Sequence, residues 1–469
     1  MTEKQTGDKL VRDNIFNEML ISLKHNIVDK WYPLSLDQKE GGYFTNISYN
    51  WEILPEQEKM IVTQARHVWA LSKLRSFFDN KEFESFARHG YDFLKNKMWD
   101  QQYGGFYQMR SRDGKASPVC GFGDEKRTYG NAFGIYSLAA LAAITKDEEI
   151  LNFTKTAFNW VEDHAFDPEL DGYFQFIAPD GTPFDKDSAY KTKAYDDVEL
   201  GYKDQNTSIH LLEAYTELYG VWKDDKVKER LAGLLHLIQD VITTEKGYMN
   251  LFFTKDWKPI SFKDAPEEIR KANYRLNHVS FGHDYETAFL LLEASHALGI
   301  ENDTKTLLAA KKMADHALAN GFDKEKGGFY DEAYYFAGED KCTILKDSKN
   351  WWAQSEAINI FLMLSLIFPE EKKYSETFLK QWEYIKTYLL DYENGDWFEG
   401  GLDKEPDFKK GPKGHIWKCT YHTCRALMNC LVMLSDKNDS LYSTKEGFRH
   451  IKDEHDKFIE HWKSVAKGL

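Results

Sequence analysis

A chain of 469 residues with a formal net charge of -15 can bury a large core, and its acidic balance argues against nucleic acid or an anionic membrane as partner, since both demand a basic face. No apolar run approaches the length of a membrane span, and the opening Met1-Thr2-Glu3-Lys4-Gln5 lacks the hydrophobic stretch of a secretory signal. The cysteines, Cys120, Cys342, Cys419, Cys424 and Cys430, are scattered without a CxxC pair, which points to a reduced cytoplasmic setting and to neither a disulfide framework nor a zinc site.

One short pattern recurs along the chain: Gly41-Gly42-Tyr43-Phe44, Gly104-Gly105-Phe106-Tyr107, Asp171-Gly172-Tyr173-Phe174, Lys246-Gly247-Tyr248, Gly327-Gly328-Phe329-Tyr330 and the degenerate Gly395-Asp396-Trp397-Phe398. The copies stand roughly 60 to 80 residues apart, the length of a helix pair with its loop. Strand-like stretches follow them, with hairpin signals such as Asp113-Gly114 and Asp180-Gly181. Helical runs come next. Ile61, Ala65, Val68, Trp69 and Ser72 keep three- and four-residue spacing, as do Phe133, Tyr136, Ala140 and Ile144, and further runs start near Asp204, Gly282, Asn350 and Lys418.

Each run ends in a short polar turn and a second, amphipathic helix. The turns are Asp79-Asn80-Lys81, Lys146-Asp147-Glu148, Lys223-Asp224-Asp225, Glu301-Asn302-Asp303 and Pro369-Glu370-Glu371. Short connections at one end and long glycine-bearing loops at the other predict an all-α (α/α)6 barrel, with short β-hairpins in the long loops at one end. A solenoid of helix pairs competes, but no terminal repeat reads as a polar cap. With no linker or low-complexity tract, the expectation is a single domain over 1–469, with 1–11 and 436–469 as peripheral terminal segments.

Polar and aromatic residues gather at the starts of the six inner helices: Gln64, Arg66 and Trp69; Arg127, Tyr129 and Asn131; Asn206, His210 and Glu213; His283, Asp284 and Glu286; Trp351, Trp352, Gln354 and Glu356; Trp417, Tyr421, His422 and Arg425. In a closed barrel these starts face one cavity, which makes them the candidate active site. Singly, each has a plainer reading. Arg66 could pair with Glu286 or Glu356, and Asn131 and Asn206 could be caps or hydrogen-bond staples. The shared register at every inner helix favours a site. His210–Glu213 and His283–Glu286 share one helical face but reverse the Glu-x-x-His order of bundle metal sites, and neither HExxH nor a GxGxxG or GxxxxGK[ST] loop occurs, so no metal or cofactor is expected.

At these residues the chain resembles the cellobiose 2-epimerases of the N-acylglucosamine 2-epimerase superfamily, over about Trp31 to Met433. The matching stretches are Ala65-Arg66 to Trp69, Asn206 to Tyr215, Gly282 to Thr287, Trp351 to Glu356 and Trp417 to His422. The resemblance implies an (α/α)6 barrel and cofactor-free, reversible inversion at C2 of a reducing-end sugar. By position, Arg66, His210, His283, Glu286, Trp352, Glu356 and His422 look like the family's active-site residues, and Asn206 and Trp417 like its pocket wall. Tyr129, Asn131 and Phe289 join the expected sugar contacts. Phe289 stands where the family usually has Trp, and Thr420 and Thr423 stand where it has Pro and Asn, departures expected to touch the sugar.

Inversion at C2 requires an opened ring, removal of the C2 proton to give an enediolate, and protonation of the other face. Histidine suits both steps, so His283 and His422 are read as the acid/base pair, with Glu286 and His210 orienting or polarising them. Arg66 is read as stabilising the enediolate oxygens. The expected partner is a small sugar, preferably the gluco or manno unit of a cellobiose- or mannobiose-type disaccharide. The alternatives are a mannose epimerase, an aldose–ketose isomerase through the same enediolate, an N-acylglucosamine epimerase, a glycoside hydrolase using two carboxylates, or a non-catalytic sugar-binding barrel.

Overall fold

The computed structural model describes residues 3–117, 123–184 and 203–469. Cys120 lies outside the described residues, and Cys342, Cys419, Cys424 and Cys430 are free thiols. The main helices are Glu3–Ile21 (α1), Ile61–Phe78 (α2), Lys81–Phe93 (α3), Thr128–Thr145 (α4), Glu148–His164 (α5), Gln205–Val221 (α6), Asp225–Leu237 (α7), Phe281–Leu298 (α8), Thr304–Gly321 (α9), Trp351–Ile367 (α10), Lys372–Tyr388 (α11), Tyr421–Leu434 (α12) and Glu446–Ala466 (α13).

The inner helices are those whose sequence is apolar nearly all round, because all sides meet protein. Helix α2 packs on α4, α4 on α6, α6 on α8, α8 on α10, α10 on α12, and α12 returns to α2. The ring is closed, as an (α/α)6 barrel requires. Amphipathic helices α3, α5, α7, α9 and α11 stand outside, each joined to its inner partner by one of the short polar turns. In these turns Asn80, Asp147, Asp224 and Asp303 accept hydrogen bonds from backbone N–H groups of the next helix, satisfying donors that a helix start leaves free. The sixth outer helix is α1, which packs on α12 and buries Phe16 and Met19.

The C-terminal segment departs from the expectation. Instead of lying at the periphery, α13 packs on α2, α9, α10 and α12 at the end opposite the long loops. It buries Phe448, Phe458, Ile459, Trp462 and Val465, and Phe448 meets Phe77 from the last turn of α2 at 4.9 Å between ring centres. That apolar stripe needs a partner, and the exposed floor of the barrel supplies one.

At the other end, all six glycine motifs build the same rim turn. The residue before each turn bridges back to its aromatic or apolar residue: Leu36 to Tyr43, Trp99 to Phe106, Phe166 to Tyr173, Thr243 to Met249, Phe322 to Phe329 and Leu390 to Trp397. Gly105 shows why glycine is needed: its φ is +76°, and a Cβ there would lie 2.5 Å from the indole of Trp160. Short strands then link consecutive units, Lys59–Met60 with Met109–Arg110, Lys126–Arg127 with Phe176–Ile177, Lys203–Asp204 with Phe252–Phe253, and Val279–Ser280 with Glu332–Tyr334.

In four of the six inner helices the fourth residue clamps the turn. Gln64 accepts from Tyr43 N at 2.8 Å and donates to Tyr43 O at 2.9 Å. Gln354 does the same for Phe329, and Asp284 accepts from Met249 N. Asn131 belongs to this set, bonding Phe106 N at 2.7 Å and Phe106 O at 3.2 Å, so it holds the rim rather than the sugar. The expectation that it contacts substrate is corrected.

A second device, buried lysine–aspartate pairs, ties the rim turns to the starts of the inner helices. Lys59, Lys126, Lys203, Lys349 and Lys413, each ahead of an inner helix, reach Asp37, Asp100, Asp167, Asp323 and Asp391 in the rim turns at 2.7–3.0 Å. The lysines are fully buried or nearly so. Burial works against the Asp323 carboxylate, yet Lys349 and two backbone N–H groups hold its pKa at about 2. In the fourth unit Val279 and Thr244 occupy the two positions. Both charges are lost together, as expected where either alone would be stranded.

Candidate active site

The long-loop end encloses a cavity of about 250 Å³ whose wall includes Arg66, Tyr129, Asn206, His210, His283, Glu286, Trp352, Trp417 and His422. The register explains the gathering. Tyr129, Asn206, Trp352 and His422 are second residues of their helices, and Arg66, His210 and Glu286 are sixth residues. Second and sixth positions share a helical face, while the clamping fourth position points away. Trp351, the first residue of α10, also lines the cavity. Trp417 is 40% exposed and forms an open side of the wall.

His283 and His422 flank Trp352, with ring centres 4.8 and 5.6 Å from its indole. Each histidine is held through Nδ1, which leaves Nε2 for the cavity. His283 Nδ1 is 2.7 Å from Ser280 Oγ, and His422 Nδ1 is 2.8 Å from Glu356 Oε1, with Glu286 Oε1 at 4.0 Å. His210 Nδ1 is 2.9 Å from Glu213 Oε2. Burial, with Arg66 and neighbouring imidazoles adding to it, lowers the His283 pKa to about 3. Burial and Arg66 also take His422 well below the ordinary range, outweighing Glu286. Both shifts favour neutral rings at pH 7.

Beneath the histidines, Arg425 ties three carboxylates together. Its guanidinium donates to Glu213 and Glu286, and to Glu356 at 2.6 Å, while the Tyr421 hydroxyl also donates to Glu213. Burial would raise the Glu213 pKa, but Arg425 and His210 hold it at about 2. For Glu356 the balance reverses, and burial raises its pKa against the pull of Arg425. Glu356 thus stands behind His422 as its orienting group. Glu286, Glu356 and His422 have the spacing to hold a metal ion, and Arg425 already brings positive charge to both of these carboxylates.

Arg66 does not pair with Glu286 or Glu356. It donates to the Tyr129 hydroxyl at 3.2 Å and the Trp417 carbonyl at 3.3 Å, and lies over the rings of Phe133 and Tyr421 at 4.5 and 4.9 Å. It is buried, and among the described residues no carboxylate forms an ion pair with it. A cation held this way is available to negative charge arising in the cavity.

Phe289 is the other correction. One turn below Glu286, it lines a separate cavity on the far side of Arg425, with its ring centre 5.9 Å from the guanidinium. Thr420 and Thr423 are buried in the scaffold, Thr420 bonding the Tyr32 hydroxyl at 3.0 Å. These three departures from the resembled pattern lie away from the cavity that holds the histidines.

The family model for N-acylglucosamine 2-epimerase matches residues 42–426, a span holding every cavity residue named above. The chain belongs to the N-acylglucosamine 2-epimerase family. Within that family, a cellobiose 2-epimerase of Bacteroides fragilis is 27% identical over 426 residues, covering 88% of this chain and 98% of that protein. One from Ruminococcus albus is 28% identical over 423 residues, covering 89% and 98%. The solved cellobiose 2-epimerase of Bacillus thermoamylovorans superposes with a TM-score of 0.76 at 26% identity, covering 89% of this chain and 99% of that one. The family is one of carbohydrate epimerases, so this fold carries enzymes. Among the described residues no helix is long and apolar enough to cross a membrane.

Proposed function

We propose that the protein is a sugar 2-epimerase that interconverts gluco and manno configurations at C2 of a reducing-end sugar, of the cellobiose or mannobiose type, without metal or cofactor. The observation that carries this reading is that two buried imidazoles, His283 and His422, share one cavity with a buried arginine that has no carboxylate partner among the described residues. After ring opening, one imidazole takes the C2 proton through Nε2 and the other returns a proton to the opposite face. The two roles exchange with the direction of reaction.

Negative charge then appears on O1 and O2 beside Arg66. The same charge strengthens the hold of either imidazole on a proton, opposing the burial that favours their neutral forms. Glu356 steadies the His422 imidazolium, and Glu286 and His210 assist ring opening and orientation. Trp352 and Tyr129 offer ring faces to the sugar, Asn206 a polar contact, and Trp417, on the open side, a platform for a second sugar unit. A hydrolase reading would need two free carboxylates, but Arg425 holds both Glu286 and Glu356.

Incubation with cellobiose, mannobiose, mannose and N-acetylglucosamine in heavy water, followed by product chromatography, tests the proposal. The expected product is the C2 epimer of the disaccharide with deuterium at C2, lost in His283→Ala and His422→Ala by about 100-fold or more. Ketose as the main product would make the enzyme an isomerase. Product without solvent deuterium would overturn the histidine mechanism.

A further inference from the structure

On the far side of Arg425 lies a second cavity, of about 490 Å³. Inner helices wall it, and α13 closes it through Ile451, His455 and Phe458. The family match ends at residue 426, whereas α13 spans Glu446–Ala466. The element that completes this chamber therefore lies beyond the matched region. Glu213 and Arg425 form part of its wall and also belong to the carboxylate cluster beneath the histidines.

The chamber has aromatic walls, and its built-in cations are already spoken for. Lys73 lies over Trp69 at 5.6 Å and pairs with Glu217 at 2.6 Å. Arg425 lies over Phe289 and pairs with Glu213. At the mouth, Glu454 pairs with Lys457 at 2.7 Å. Glu293 differs from these acids: it lines the cavity, and among the described residues its carboxyl forms no hydrogen bond or ion pair.

Burial raises the Glu293 pKa to about 8, with Glu217 and Glu213 adding to the rise and Arg425 and Lys73 opposing it. Among the described residues no other facing group compensates it. Burial lowers the pKa of His296 and takes that of His455 to about 4, His450 is exposed at the mouth, and burial raises the pKa of Tyr136. An unpaired carboxyl in such a place either keeps its proton or finds a cation.

We propose that this chamber is a second ligand site that takes a small organic monocation, a primary ammonium on an apolar or aromatic body. The ammonium sits on Glu293, and the body lies against the rings of Trp69, Phe289 and Phe458. Ring faces attract cations and apolar bodies together, and the volume accommodates a single-ring molecule.

Calorimetric titration of the full chain with benzylammonium chloride, and with benzyl alcohol as the uncharged analogue, tests the site. Benzylammonium should bind one site about tenfold or more tightly than the alcohol. Measured in two buffers of different ionisation heat at pH 7, binding should release about 0.9 proton as Glu293 ionises, fading above about pH 9. Glu293→Gln should abolish the proton release and reduce ammonium affinity to that of the alcohol. His450→Arg, an exposed substitution that cannot unfold a buried network, should weaken the ammonium about threefold or more and leave the alcohol unchanged.

Equal affinity of the two probes, no proton release, or unchanged ammonium binding in Glu293→Gln would overturn the site. Displacement by cellobiose would also overturn it, because it would put the probe in the histidine cavity. Epimerisation is not the readout, so failure here and failure of the proposed activity are separate results.

Discussion

Glu356→Gln tests how the cavity controls proton transfer. The carboxylate accepts from His422 Nδ1 at 2.8 Å and Arg425 Nη2 at 2.6 Å, and its second oxygen is buried without a partner. The amide keeps the shape and can still accept from Arg425, which retains Glu213 and Glu286. On the proposed mechanism, what is lost is negative charge behind the imidazolium that would form as His422 accepts a proton. A hydrogen bond to a charged group contributes about 1.5–3 kcal/mol, so kcat should fall roughly 10- to 150-fold. KM should move less than about threefold, because the bond strengthens only as charge develops. Initial rates on cellobiose over a range of concentrations, with a melting curve to confirm the fold, provide the measurement. A kcat within about twofold of the parent would refute the reasoning: burial raises this carboxyl's pKa, and a group already neutral would be mimicked by the amide.

Acidification should destabilise the fold before most carboxylates titrate. His67 is fully buried and its pKa is lowered to about 3. The unfolded imidazole takes a proton near pH 6.5 while the native one does not, so stability present above pH 6.5 is lost progressively toward pH 3, about 2 kcal/mol at pH 5 from this group. A melting temperature unchanged between pH 7 and pH 5 would contradict that. Phe289→Trp should leave the ratio of kcat/KM among cellobiose, mannobiose and mannose unchanged, since Phe289 faces the second cavity; an altered ratio would show coupling across Arg425. Exhaustive chelation should leave turnover intact, and loss restored by a divalent ion would instead place a metal at Glu286, Glu356 and His422. Lys126→Val should cost about 3–5 kcal/mol by stranding Asp100, and adding Asp100→Thr should recover most of it, as in the fourth unit; melting temperatures of the two variants decide.

The helix pairs were legible because their signals are local. Apolar periodicity marked α2 and α4, and the polar turns at Asp79-Asn80 and Asp224 fell between helices as expected. The gathering of Arg66, His210 and His422 also followed from their register, while His283 is the third residue of α8. Two kinds of residue on the same turn were harder to separate. Gln64, Asn131, Asp284 and Gln354 looked like site residues because they are polar at helix starts, yet they sit two positions from the cavity face. Counting from each helix start would have divided them. The Lys–Asp pairs were present as a lysine ahead of an inner helix and an aspartate ahead of a glycine turn, but pairing them needs knowledge of which loop folds onto which strand. Arg425 stood one turn beyond His422. Its hold on carboxylates from three other helices is a property of barrel closure, not of its own neighbourhood.

The clamp at the fourth residue of the inner helices has a consequence for how such enzymes diversify. Support and chemistry occupy different letters of the same helical turn, so one can be rewritten without disturbing the other. A barrel that keeps Gln64, Asn131, Asp284 and Gln354 retains its rim while Tyr129, Asn206 or Trp352 is exchanged. New specificities should therefore be reachable by single steps through folded intermediates, and a library confined to second and sixth positions should yield far more soluble variants than one of equal size spread over the fourth.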